Sequence, residues 1–180
     1  MSLRTQAAIV LAALAAGAGG LWAGHAWFGL NPPPGALSIG APAIEFELPA
    51  LDGTPVARKS FDGRVQVINF WAPWCAPCRR EIPVLQSLRK EFGPQRVEVI
   101  GIALDEPEAV RNYVAEMGID YPVLLASMSD FALMRAYGND RDALPFTVIV
   151  DAEGKLHTRK LGEYHETDLR EDLQAALGSR

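Results

Sequence analysis

The sequence predicts an α/β domain in which a mixed β-sheet is flanked by helices on both faces. Three runs rich in β-branched and aromatic residues, at 65–71, 97–104 and 146–150, are typical of central strands. Segments with apolar residues at helical spacing alternate with these runs, as in sheets whose strands are joined by helices. A turn signal after the last run predicts a closing hairpin, so the sheet should be mixed.

Residues 1–30 predict a membrane segment outside this domain. No charged residue lies between Arg4 and Glu45, and residues 7–30 are almost entirely apolar. As a helix this run would be about 36 Å long, enough to cross a hydrocarbon core of about 30 Å. A cleavable signal with a small-residue site at 16–18 is the alternative. We favour an uncleaved anchor because the run exceeds the usual signal core of about 7–15 residues.

The flanking charges predict the orientation of that anchor. Arg4 and the amino terminus are the only positive charges that flank the segment. We therefore expect a cytoplasmic N-terminus and an exported domain. Residues 31–36 hold three consecutive prolines and predict a stiff spacer. Residues 37–180 then have the size of one domain. The formal net charge of −5 argues against a nucleic-acid partner.

The domain begins with a predicted hairpin. Residues 44–48 alternate between apolar and polar side chains, and the turn residues 52–53 precede a second strand at Val56. The central strand at 65–71 then leads into a helix that ends at residues 93–94, Gly-Pro. Its inner stripe consists of Ile82, Leu85, Leu88 and Phe92.

The second half repeats this alternation. After the strand at 97–104, a helix begins at Pro107, because proline suits the first turn. A short strand at 122–125 precedes a helix capped by Ser129. Strand 146–150 turns into a partner at 155–161, and a last helix is capped by Thr167.

The chain has two cysteines, and both lie in one C-x-x-C motif within the stretch FWAPWCAPC at residues 70–78. Cys75 lies where a strand ends and a helix begins. There the free N–H groups and the helix dipole favour a thiolate, so its pKa should fall below about 8.5. Cys78, almost a turn further along, should attack second. We therefore predict a cycle in which Cys75 attacks a disulfide and Cys78 resolves the mixed disulfide.

The motif and its surroundings resemble the thioredoxin superfamily. W-C-x-P-C follows a hydrophobic strand, Pro83 lies five residues beyond the second cysteine, and Leu144-Pro145 opens a late strand. The chain is most similar to the membrane-anchored, exported TlpA/ResA-like thiol–disulfide oxidoreductases, over residues 38–177. This resemblance implies a thioredoxin-like sheet with an N-terminal β-hairpin and an extra central helix near 107–117.

The resemblance also implies substrate-binding residues. Pro145 matches the cis-proline that faces the cysteines and leaves the backbone of Leu144 free to pair with a client segment. Trp74 matches an exposed tryptophan beside the nucleophile. The alternatives are an ordinary proline at a strand edge for Pro145 and core packing for Trp74. Trp71 is assigned to the core.

One departure concerns proton transfer. Cytoplasmic thioredoxin has a buried aspartate in the strand before the motif, and here that position is Asn69, which cannot titrate. The exported branch has a glutamate three residues after the second cysteine, here Glu81. Because Cys78 and Glu81 share a helix face, we predict Glu81 as a catalytic proton acceptor or pKa modulator. The alternative is a solvated carboxylate beside Arg79 and Arg80.

The predicted function is an exported thiol–disulfide oxidoreductase that reduces protein disulfides. Ala76-Pro77 places no cation between the cysteines, and a cation there would stabilise the reduced form. The family implies a domain on the periplasmic side of the bacterial inner membrane, a membrane thiol electron donor, and clients in cytochrome c maturation or oxidase copper-site assembly. No cofactor is expected beyond the Cys75–Cys78 disulfide.

Two other functions are the alternatives to an oxidoreductase. A copper-binding module would use both cysteines and a histidine, but the domain offers only His157 and His165. A peroxidase would need T-x-x-C, and that threonine position is Ala72. We prefer the oxidoreductase to both.

Overall fold

The computed structural model describes residues 35–127 and 130–178. The predicted anchor at 1–30, most of the predicted spacer and the predicted cap Ser129 lie outside these ranges. In the part of the chain that is described, no helix has the length and apolar character needed to span a bilayer. The domain is held from its first residues, because the Leu37 amide donates a 2.9 Å hydrogen bond to the Ala136 carbonyl.

The chain enters the domain through the predicted hairpin, which is shorter than expected. Strands β1 (Glu47–Pro49) and β2 (Pro55–Ala57) pair antiparallel as a separate two-stranded sheet. The sequence predicts a first strand over 44–48, but Ile44 bonds elsewhere. Its N–H donates to the Tyr137 hydroxyl at 3.0 Å, and that hydroxyl lies 3.2 Å from the Ile44 carbonyl. Tyr137 therefore satisfies backbone groups that a strand partner would otherwise take.

The main sheet has five strands in the order β5-β4-β3-β6-β7. They are β3 (Val65–Trp71), β4 (Val97–Ala103), β5 (Val123–Leu125), β6 (Phe146–Val150) and β7 (Leu156–Leu161). Strands β3, β4 and β5 are parallel, whereas β6 and β7 run antiparallel to their neighbours. The predicted mixed sheet is confirmed.

Four α-helices connect or follow these strands: α1 (Ala76–Phe92), α2 (Pro107–Met117), α3 (Phe131–Ala136) and α4 (Glu166–Gly178). Helix α2 begins at Pro107 as predicted. Helix α4 begins at Glu166, so Thr167 lies within its first turn and the predicted cap is wrong. The first intrahelical hydrogen bond runs from the Leu169 amide to the His165 carbonyl at 3.1 Å, so His165 lies at the position that precedes the helix.

Helices cover both faces of the sheet. Apolar residues of α1, α2 and α4 pack on one face, around Trp71, Val99 and Ile149. Residues of α3 and the β1–β2 hairpin pack on the other face, around Phe70, Ile102 and Val148. Because strand side chains alternate between faces, Asn69 and Thr147 share the face of Trp71 and Ile149 and lie below α1.

Candidate active site

The two cysteines lie at the junction of β3 and α1. Cys75 is the N-cap of α1, and its Sγ accepts a hydrogen bond from the Cys78 amide at 3.3 Å. The two residues form a disulfide, with 5.3 Å between their Cα atoms. Cys75 is 5 % exposed and Cys78 is 1 % exposed. Cys75 is thus the more accessible sulfur, and a thiolate there would lie in the positive field of the helix N-terminus.

The prolines of α1 take the predicted positions. Pro77 lies in the first turn, where the missing N–H leaves no helical bond unmade. Pro83 lies inside the helix. The first turn contains no acidic side chain. Nothing in that turn therefore opposes a negative charge on the capping sulfur.

Two of the three predicted substrate-binding residues line one cleft. Trp74 is 70 % exposed, so its alternative assignment to core packing is wrong, whereas Trp71 is buried as predicted. The Leu144–Pro145 peptide bond is cis. In the described part of the chain, the Leu144 backbone makes no hydrogen bond. Trp74 and Leu144 both line a cleft of about 970 Å³. Exposed aromatic surface and free backbone groups are thus available at one opening.

Glu81 is buried, with 1 % of its surface exposed. Its Oε1 accepts a hydrogen bond from Asn69 Nδ2 at 3.1 Å and another from the Thr147 hydroxyl at 3.0 Å. Asn69 Nδ2 also donates to Thr147 Oγ1 at 2.9 Å. The interpretation of Glu81 as a solvated carboxylate is therefore wrong. The residue is held by two strands beneath α1, on the helix face that also carries Cys78.

Burial raises the pKa of Glu81 from 4.5 to about 7. The Thr147 hydroxyl and the Tyr164 backbone amide oppose this rise, and the charge of Glu163 adds to it. The amide of Tyr164 acts without the geometry of a full hydrogen bond, since Oε2 of Glu81 has no hydrogen-bond partner among the described residues. The carboxyl group can therefore change protonation near neutral pH.

The two arginines after Cys78 contact residues other than Glu81. The Arg79 guanidinium lies over the ring of Tyr113, 5.2 Å from its centroid. Arg80 pairs with Glu163 through contacts of 2.6 and 3.1 Å. That pair joins α1 to the loop after β7 at the edge of the site.

Thr147 and Glu163 were missed by the sequence analysis. Thr147 is the single polar residue in the run FTVIV of β6, and a polar side chain inside a buried strand was an available signal. Its partner could not be found that way, because Thr147 and Glu81 are 66 residues apart. Glu163 lies in a loop and gave no signal.

The alternative copper site receives no further ligands. Within residues 35–127 and 130–178, no three His, Cys, Asp or Glu side chains come together in a geometry that could hold a metal ion. His157 lies on β7, and His165 lies just before α4. That hypothesis therefore rests on the cysteine pair alone.

Known proteins match this chain over most of the described domain. Residues 39–159 match the AhpC/TSA family. Thiol-disulfide oxidoreductase ResA of Bacillus thuringiensis subsp. konkukian is 30% identical over 139 residues, which are 77% of this chain and 78% of that protein. ResA of Bacillus subtilis is 32% identical over 122 residues, 67% and 66% of the two chains.

Solved structures match the fold. A putative thiol:disulfide interchange protein DsbE from Chlorobium tepidum superposes with a TM-score of 0.71 at 25% identity, covering 79% of this chain and 100% of that one. A thioredoxin family protein from Chlorobium tepidum TLS gives 0.68 at 31% identity with the same coverage. The fold is thioredoxin-like, and the close cysteine pair is the redox centre expected of an oxidoreductase. The chain belongs to the AhpC/TSA family and, within the thioredoxin superfamily, to the TlpA/ResA-like thiol–disulfide oxidoreductases.

Proposed function

We propose that this oxidoreductase works as a reductase of protein disulfides. The Cys75 thiolate attacks one sulfur of a client disulfide, forming a mixed disulfide and releasing the other client sulfur as a thiolate. Cys78 then loses its proton and attacks Cys75 Sγ. The bond to the client breaks, the second client thiolate leaves, and the Cys75–Cys78 disulfide forms. Two electrons pass to the client.

The position of Cys75 carries this proposal. It caps α1 and is the more accessible sulfur, as the attacking thiolate must be. Cys78, one turn into the helix, is shielded from clients but can reach Cys75, to which it is bonded. We assign Glu81 as the acceptor of the Cys78 proton, supported by its shared helix face and a pKa of about 7.

Two features support the reducing direction. Ala76-Pro77 places no cation between the sulfurs, so the dithiol is not stabilised as it would be beside a cation. A buried carboxyl one turn after Cys78 also disfavours a second negative charge at that sulfur. A less stable reduced form gives a lower reduction potential.

We propose that Trp74, Leu144 and Pro145 bind the client. An extended client segment would pair with the free backbone of Leu144, and Trp74 would pack against its side chains. Main-chain pairing of this kind tolerates many sequences. It therefore suits an enzyme that must reach cysteines in different clients.

We further propose that the domain is exported and anchored by residues 1–30 to the bacterial inner membrane, facing the periplasm. The apolar composition of that segment supports this. In an oxidising compartment the Cys75–Cys78 pair needs a membrane thiol donor to be reduced again, and no further cofactor. Apocytochrome c or proteins of oxidase copper-site assembly are the proposed clients.

The reduction potential tests this proposal. The protein is equilibrated with glutathione buffers and the dithiol fraction is measured, with Cys75→Ser as the inactive control. We expect a value near that of thioredoxin, about −270 mV, and a value near the strong oxidase DsbA, about −120 mV, would reverse the direction. Cys78→Ser should then trap clients as mixed disulfides. Tight one-to-one Cu(I) binding without any trapped client would favour the copper module instead.

A further inference from the structure

Four buried side-chain atoms lack a hydrogen-bond partner among the described residues: Trp71 Nε1, Glu81 Oε2, Tyr113 Oη and Tyr121 Oη. Buried polar groups in folded proteins are satisfied in about nine cases of ten. All four side chains lie on the α1 face of the sheet, either in its apolar core or on α1 itself. Because the four atoms lie on one face of the sheet, a single hydrogen-bond partner could serve several of them.

Trp71 lies beside both Tyr113 and Tyr121, and Glu81 is linked to these three residues through Asn69. The rings of Trp71 and Tyr113 are 5.5 Å apart between centroids. A Cβ atom at Gly101 would lie 2.9 Å from Trp71 Nε1 and 2.9 Å from Tyr121 Cε2, so both side chains meet over this glycine. Gly101 is paired in register with Asn69, the hydrogen-bond donor to Glu81.

Glu81 also interacts electrostatically with this group of side chains. Burial raises the pKa of the Tyr121 hydroxyl first, and the charges of Glu81 and Tyr113 raise it further. Oε1 of Glu81 is fully used by Asn69 and Thr147. Oε2 is therefore the atom through which the carboxyl group can exchange a proton with anything else.

The chemistry of these atoms suits water. An indole N–H can only donate, a carboxylate oxygen can accept, and each tyrosine hydroxyl can do both. A buried water molecule needs two to four polar partners, and four atoms without a partner lie on this face of the sheet. We propose that the four atoms bind ordered water and that Tyr113 and Tyr121 are positioning residues, which hold that water as a proton path between Glu81 and the surface beside Arg79.

The path has an exit. Tyr113 is the member of the group nearest the surface that we can identify, because the guanidinium of the exposed Arg79 covers its ring. In each turnover Cys78 gives one proton to Glu81, Glu81 gives one to the internal water, and one leaves to solvent. No electrons move in this step. Glu81 is 1 % exposed in the disulfide-bonded protein, so almost none of its carboxyl group contacts solvent directly.

The test uses Tyr121→Phe and Tyr113→Phe, with Tyr137→Phe as the matched control. Tyr137 is buried on the opposite face, and its hydroxyl is satisfied by Ile44. The Glu81 carboxyl is titrated by ¹³C NMR in the oxidised protein. Each of the first two variants should raise the proton affinity of the Glu81 carboxyl group at least threefold. The bound water loses the hydrogen bond to the tyrosine hydroxyl and therefore donates less well to the carboxylate. The control should leave it unchanged.

A second readout detects the water itself. Long-lived water should give a magnetisation-transfer signal to the Trp71 indole N–H, and Tyr121→Phe should weaken it. The proposal requires both results. It is overturned if the Glu81 titration is the same in all variants, or if the indole signal is missing. The inference rests on the proposed role of Glu81, but neither readout depends on whether the chain reduces clients, so the two failures are distinguishable.

Discussion

Replacing Glu81 by glutamine should remove one large contribution to the pH dependence of this protein's stability. The pKa of Glu81 is about 7 in the folded protein against 4.5 for an ordinary glutamate. The folded state therefore binds the proton more tightly. The stability that comes from the protonated form is fully present below pH 4.5 and is lost as the pH rises through 7.

The size of the effect follows from that interval. From pH 4.5 to about 7, at about 1.4 kcal/mol per pH unit, the loss amounts to about 3 kcal/mol. Glutamine stays neutral, and its Oε1 can still accept from Asn69 and Thr147. Relative to the parent protein, Glu81→Gln should therefore gain about 3 kcal/mol in free energy of unfolding between pH 4.5 and pH 8.

Urea unfolding of the oxidised protein measures this difference, since disulfide-bonded cysteines do not titrate. The free energies of unfolding of the two proteins are compared at four pH values between 4.5 and 8.5. The contributions of the other ionisable groups cancel in the difference. Glu171→Gln, at an exposed position on α4, is the control and should show no such trend. If the difference in free energy of unfolding between the parent and Glu81→Gln stays constant with pH, burial does not raise the pKa of Glu81.

Three further outcomes follow from the same geometry. Thr147→Val removes a donor to Glu81 Oε1, so the Glu81 pKa should rise above about 7 in the NMR titration, with a stability loss of about 1 kcal/mol at pH 8. Trp74→Ala should change stability by less than about 0.5 kcal/mol, because the side chain is exposed, yet slow the reduction of a protein disulfide several-fold. The rate with a small disulfide should not change, and an equal loss for both would remove Trp74 from client binding. Gly101→Ala should cost about 1–3 kcal/mol in thermal unfolding, because its Cβ would lie 2.9 Å from Trp71 and Tyr121. A neutral result there would mean that this part of the core is loosely packed.

Much of the fold could be predicted because its signals are local. The run at 65–71 forms β3 over the same residues, since five of its seven residues are strand formers and all seven are buried. Pro107 starts α2 and Gly118 ends it in the left-handed region, as such residues commonly do. Boundaries failed where a distant group intervened. Tyr137, 93 residues away, takes the backbone bonds of Ile44 and shortens the first strand.

The sequence by itself determined the chemistry of the cysteine pair. Cys75 and Cys78 are three residues apart at a strand–helix junction, so their closeness and the helix dipole at Cys75 require no long-range contact. The resemblance to a family added the cis Leu144–Pro145 bond and the importance of Glu81.

Only the tertiary structure decided the environment of Glu81. Nothing local distinguishes a buried Glu81 from a solvated one beside Arg79 and Arg80. The antiparallel pairing of β3 with β6 places Thr147 opposite Asn69, and packing of α1 on that pair closes the carboxyl group off from water. A pKa depends on solvation and on neighbours brought from distant parts of the chain. It is therefore a property of the folded domain, which residue spacing could suggest but not establish.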